Sequence, residues 1–190
     1  MTRPMREKVE EILAIEGKSG RAARIRFLLA MAKRHILERL AYFSPSNRFR
    51  VWCYRRMGVR IGIGVYVGNY VTFDRIFPHR ITVGDHTSIG DRCLITAHAN
   101  IPSETPLKAI YPRTVRETVI GEGVWIMPNC TIAPGVRIGD HTVVATGAVV
   151  TNSIPPRSLA AGVPARVVKD LGGHEAFRRT ESEEGRGVDA

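Results

Sequence analysis

The chain has 190 residues, 44% hydrophobic and 24% charged, a balance that describes one soluble domain with a sizeable core. Three cysteines cannot form a complete set of disulfides, and without a Cys-x-x-Cys pair they argue against a thiolate zinc site or a redox motif. The net charge of +10 lies wholly in residues 1–60, with 15 Lys+Arg against 5 Asp+Glu, while residues 61–190 carry 13 of each, so the main body has no nucleic-acid signature.

The longest apolar run near the N-terminus, Phe27 to Ala32, is too short for a leader or a membrane span, which makes a reducing cytoplasm the expected location. Residues 5–57 carry a helical pattern. Within 21–43, Ile25, Leu28, Leu29, Ala32, Ile36, Leu40 and Phe43 share one stripe, and Arg26, Lys33, Arg34, Glu38 and Arg39 fall largely off it. Gly17 and Gly20 break an earlier short helix, and Ser44-Pro45-Ser46-Asn47 breaks the later one. The stripe predicts packing against the main body or a neighbouring subunit. Its basic flanks leave an anionic membrane surface as the other reading.

From Ile61 a six-residue period replaces the helical one. The first hexad positions are Ile61, Val67, Phe73, Val83, Ile89, Ile95, Ile120, Ile126, Ile132, Ile138, Val144 and Val150, and eleven of these twelve are Ile or Val. Gly holds six of the second positions. The fifth positions are slim: Val65, Val71, Thr87, Cys93, Val124, Cys130, Val136, Thr142, Ala148 and Ile154. Each hexad therefore reads as one short strand and one turn. Position one points into a narrow interior, position five fills an inner corner, and three hexads make a triangular coil that is stable only when stacked. A β-sandwich, with strands every ~8–12 residues and period-two alternation, does not fit this register. Cys93 and Cys130, both at position five, are expected in the core.

The register breaks twice. Phe73 to Val83 is ten residues, and Ile95 to Ile120 is twenty-five, with a Pro-rich loop at about 99–118 thrown out of the stack. The predicted organisation is a basic helical segment over 1–57, a coil domain over 58–170 and a polar, mobile tail over 171–190.

Across 58–169 the chain resembles the hexapeptide-repeat acyltransferases, in the branch of sugar O-acetyltransferases that act on maltose, galactosides and nodulation factors. The marks are the ending IPP-x-S-x-x-AG-x-PA-x-V-V in 154–168 and the stretch FDRIFPHRITVGDHTSIGDRCLITAH over 73–98. The resemblance implies an all-β fold, a left-handed parallel β-helix with an N-terminal helical segment. It also implies a homotrimer, a CoA groove between neighbouring subunits, acetyl-CoA as acyl donor, no metal requirement, and a saccharide or lipid-linked saccharide as acceptor.

An alcohol is a poor nucleophile at neutral pH, and a positioned histidine contributes typically 10²–10⁴-fold as general base. The family's catalytic histidine stands where the coil gives way to the long loop, which is the place of His98. It would deprotonate the acceptor hydroxyl for direct attack on the thioester, without an acyl-enzyme, while backbone N–H groups hold the oxyanion. His86 and His141 occupy fourth hexad positions and read as solvated surface residues. By the same resemblance Asp74 matches an acidic acceptor-binding position, which could also orient the histidine; its other reading is a turn aspartate. Trp125, at a sixth position read as a corner, aligns with a tryptophan of the CoA channel, while packing at that corner is the alternative. Thr146, Thr151, Asn152, Arg166 and Lys169 align with CoA-contacting positions, and the two cations suit a phosphate-bearing donor. Ala145-Thr146-Gly147 replaces a common Gly-Ala-Gly, and Asn152 replaces a common lysine, so phosphate contacts could shift toward Arg157.

Three other functions share the fold: a nucleotide-sugar N-acetyltransferase, a non-catalytic scaffold or binding module, and a γ-type carbonic anhydrase. The last needs three zinc-binding histidines, two of them close together, and no pair among the six here has that spacing.

Overall fold

Every hexad closes as a two- or three-residue strand followed by a turn. The computed structural model describes residues 3–99 and 105–177. The first coil is β1 (Arg60–Ile61), β2 (Tyr66–Val67) and β3 (Thr72–Phe73), and the second is β4 (Ile81–Val83), β5 (Ser88–Ile89) and β6 (Leu94–Ile95). The third is β7 (Thr118–Ile120), β8 (Trp125–Ile126) and β9 (Thr131–Ile132), and the fourth is β10 (Arg137–Ile138), β11 (Val143–Val144) and β12 (Val149–Val150). Stacking produces three parallel sheets along a triangular prism: β1-β4-β7-β10, then β2-β5-β8-β11, then β3-β6-β9-β12. The second sheet continues into β13 (Ser158–Gly162), on which β14 (Ala165–Asp170) folds back antiparallel and covers that edge.

All twelve first-position residues and all ten fifth-position residues are buried. The buried threonines among them are satisfied: Thr87 Oγ1 donates to Gly121 O at 2.7 Å, and Thr142 Oγ1 to Pro155 O at 2.9 Å. Third-position aspartates stitch one coil to the next. Asp85 Oδ1 accepts from Ile63 N–H at 2.8 Å, and Asp140 Oδ1 from Glu122 N–H at 2.8 Å. Second-position glycines exist because consecutive turns lie backbone on backbone. A Cβ on Gly84 would stand 2.5 Å from the carbonyl carbon of Gly121. Gly84→Ala is therefore expected to cost about 1–3 kcal/mol, as overpacking does in a filled core, and urea unfolding of the variant checks it.

Three helices precede the coils: α1 (Arg3–Ile15), α2 (Gly20–Phe43) and α3 (Asn47–Met57). Helix α3 closes the first coil. Tyr54, fully buried, meets Phe73 edge-on with centroids 4.8 Å apart, and its hydroxyl donates to Val71 O at 2.6 Å. Arg50 is buried among carbonyls, donating to Val67 O and Ser44 O at 2.8 Å each, so its buried charge is hydrogen-bonded rather than stranded.

Helix α2 departs from the expectation of its apolar stripe. Against the rest of the chain it buries Leu37, Glu38 and Ala41, while Ile25, Leu28, Leu29, Ile36, Leu40 and Phe43 face away and are exposed. The stripe is thus not packed on the coil of its own chain. No helix among the described residues is long and apolar enough to cross a membrane. The expected mobile tail lies outside the described residues beyond Phe177, as does the loop over 100–104.

Candidate active site

Both register breaks leave the prism at one edge. The first follows β3 and the second follows β6, and these strands are neighbours in the third sheet with Phe73 opposite Ile95. The ten-residue crossing, which contains a 3₁₀ turn at Pro78–Arg80, and the root of the long loop are therefore forced against each other.

Asp74 begins the crossing, with its N–H donating to Ile95 O at 2.9 Å. Its Oδ1 accepts from the N–H groups of Ile76 at 2.9 Å and Phe77 at 3.0 Å, a local turn cap. Its Oδ2 accepts from Ala97 N–H at 2.9 Å and faces His98 Nδ1 in a short hydrogen bond. The Asp74 side chain is fully buried and that of His98 is 14% exposed. Phe77 packs edge-on against the imidazole with centroids 5.5 Å apart. The backbone of His98 bridges antiparallel to Val115, and Ala99 N–H donates to Thr114 O at 2.9 Å, which fixes the root of the loop. From the other side Arg34 of α2 donates to Arg75 O and Ile76 O at 3.0 Å each and clamps the crossing.

Burial by itself pushes the Asp74 carboxyl up. The hydrogen bonds from His98 and from the Phe77 and Ala97 N–H groups outweigh it and hold the carboxyl below its ordinary value. A carboxylate can only accept, so Nδ1 carries the imidazole proton and Nε2 presents its lone pair. The pair has the arrangement of a general base with its orienting acid.

Asp74 thus combines a turn cap with a hydrogen bond to the His98 imidazole. For the acceptor contact expected of it, Asp74 has no free oxygen in this fold: both are occupied and neither reaches the surface. Trp125 lies on strand β8 rather than at a corner, and at 51% exposure it is not a packed core aromatic. It stands in the middle of a row across the second sheet that runs from Tyr66 and Ser88 through Trp125, Val143 and Leu159 to Lys169. Arg166 lies on β14 of the same sheet, and Thr146 is exposed in the turn after β11. Thr151 and Asn152 are exposed in the turn after β12, on the prism edge of His98 two coils further along, about 10 Å away at the usual strand spacing. The second sheet, with Trp125, Arg166 and Lys169, is the prism face opposite that edge. One chain therefore assembles the Asp74–His98 pair but does not bring Trp125 to it. Phe77 and Arg34, which hold the pair in place, carry no motif that would reveal them in sequence.

His86 and His141 sit exposed in left-handed turns with φ of 55° and 54°. Cys93 and Cys130 are buried and free. Among the described residues no group of three or more His, Cys, Asp or Glu side chains could hold a metal ion.

The fold is a left-handed parallel β-helix with an N-terminal helical segment. A hexapeptide-repeat acetyltransferase of Vibrio cholerae O1 biovar eltor, crystallised with acetyl coenzyme A, superposes with a TM-score of 0.62 at 23% identity, covering 82% of this chain and 94% of that one. The family described as bacterial transferase hexapeptide (six repeats) matches residues 117–152. The "Putative acetyltransferase YvoF" of Bacillus subtilis strain 168 is 31% identical over 141 residues, 74% of this chain and 77% of its own length. The galactoside O-acetyltransferase of Escherichia coli strain K12 is 32% identical over 113 residues, 60% of this chain and 54% of its own length. The chain belongs to the bacterial hexapeptide-repeat transferases, as an acetyltransferase.

Proposed function

We propose that the chain is an acetyl-CoA-dependent O-acetyltransferase acting on a hydroxyl of a saccharide, free or lipid-linked, in the cytoplasm, with His98 as general base. The observation that carries this reading is the His98 imidazole hydrogen-bonded through Nδ1 to the fully buried carboxylate of Asp74. Nε2 takes the proton of the acceptor hydroxyl as its oxygen attacks the thioester carbonyl. The tetrahedral oxyanion collapses, the C–S bond breaks, and the departing CoA thiolate recovers the proton from the imidazolium. The saccharide class is supported by the galactoside O-acetyltransferase among the relatives. Asp74 serves as a positioning residue.

Trp125, Arg166 and Lys169 stand on the sheet opposite the His98 edge, so a groove containing both sets is formed by two copies of the chain. A homotrimer with three such grooves satisfies this. The exposed ring of Trp125 is suited to stack on the donor, and the exposed Arg166 and Lys169 to meet its phosphates. Calorimetry with acetyl-CoA and no acceptor tests the donor side. We expect binding that Trp125→Ala weakens by about tenfold, the loss of one aromatic contact. Absence of acetyl-CoA binding would sink the reading, and a screen of saccharide acceptors for thiol release tests the other half.

A further inference from the structure

We propose that the outward face of helices α2 and α3 is a docking surface for an anionic lipid bilayer. A helix on a soluble protein normally turns its apolar stripe inward. Here α2 does the reverse: Leu29 is 66% and Phe43 74% exposed, while Glu38 is 3% exposed against the coil side. At 100° per residue, Ile25, Leu29, Ile36, Leu40 and Phe43 form one line, with Arg26 and Lys33 along one flank and Arg21 and Arg39 along the other. The apolar strip does not end with α2. Phe49 of α3 lines one shallow groove together with Ile36, Leu40 and Phe43 and stacks on exposed Trp52 at 5.6 Å, over which Arg56 lies at 5.4 Å.

The charge on this face decides the occupant. Arg21, Arg26, Lys33, Arg39, Arg48 and Arg56 are exposed, and neither helix has an exposed acid, since Glu38 is buried and α3 contains none. Of the nearby acids, Glu10 and Glu11 of α1 and Glu16 just after it are engaged elsewhere, with Arg6 and Arg24, with Arg113, and with Lys18 and His79. An apolar ridge bordered by cations, with an indole among them, matches the boundary between acyl chains and anionic headgroups: the ridge enters, and the arginines and lysine keep their charges at the phosphates. A second copy of the chain is a poorer fit, because residues 61–190 have no net charge to offset the cations. The inference does not depend on the donor, the acceptor or His98.

Co-sedimentation of the full chain with vesicles of phosphatidylcholine alone, or of phosphatidylcholine mixed with phosphatidylglycerol, tests the proposal. Binding to the mixed vesicles is expected to be at least about tenfold tighter and to weaken as salt is raised. Ile36→Glu with Phe43→Glu should abolish it while acetyl-CoA binding and thermal unfolding stay as in the wild type. Arg39→Glu with Arg48→Glu, which leaves the ridge intact, should remove the preference for phosphatidylglycerol. Equal binding to both vesicles, or none, overturns the proposal. So does a smaller assembly for the Ile36→Glu, Phe43→Glu chain in analytical ultracentrifugation, which would assign the ridge to a contact between copies.

Discussion

His98→Ala is expected to lower turnover by about 10²-fold or more while the protein stays folded and binds acetyl-CoA with near-normal affinity. The side chain leaves from a partly open position, and the loop root remains held by the backbone bridge to Val115. Asp74 keeps three N–H donors, from Ile76, Phe77 and Ala97, so its buried charge is not stranded. What disappears is the group that takes the proton from the attacking hydroxyl. Thiol release at saturating donor and acceptor gives kcat, and calorimetry on the same preparation gives donor affinity. Turnover within a few-fold of wild type would remove His98 from its proposed role, whatever the acceptor.

Asp74→Asn should be nearly as damaging to turnover, although Asp74 touches neither substrate. An amide in place of the carboxylate can point its NH₂ at Nδ1, which favours the tautomer with the proton on Nε2. That nitrogen then has no lone pair for the acceptor, and losses of ~10²–10⁴-fold follow when a catalytic histidine is held in the wrong tautomer. A purely structural residue would not change the pH profile of kcat/KM, whereas this substitution should shift its acidic limb. Stability offers a second readout with a definite sign. The folded-state pKa of Asp74 lies below the ordinary 3.8, so its contribution is complete above that value and is lost as pH falls through the depressed one. Urea midpoints of wild type and Asp74→Asn should therefore differ near neutral pH and converge once the pH has fallen through the depressed value. A constant difference across that range would remove the charge from the account.

Much of the site could be read from the order of the hexads. Counting three to a coil from Ile61 ends coils at Phe73 and Ile95, and both breaks in register follow those residues. The crossing and the loop must then emerge at one edge, one coil apart, and Asp74 and His98 stand at their roots. Other features left no periodic trace. Four hydrogen bonds close around one carboxylate, and three of their donors are backbone N–H groups whose positions depend on a ten-residue irregular turn. The clamp from Arg34 comes from a helix 40 residues upstream, where one arginine among many looks like the rest.

Helix α2 separates the two kinds of information most clearly. Its stripe was evident from the 3.6-residue period, but a period identifies an apolar face without saying which way the face turns. That direction depends on what α2 rests against, and there Glu38, Arg34 and Tyr42 meet the polar crossing and the first coil through Arg75, Ile76 and Thr72. The coil and its stacked turns followed from the hexads alone, because a six-residue register admits one way of burying a continuous line of Ile and Val, while His98 as catalytic candidate followed from the family resemblance. The burial of Asp74, the place of Trp125 on the sheet opposite the His98 edge and the outward turn of the α2 stripe emerged only from the folded arrangement. Each of these depends on contacts between segments far apart in the chain, and the free energy of such contacts is not written in the local pattern of either segment.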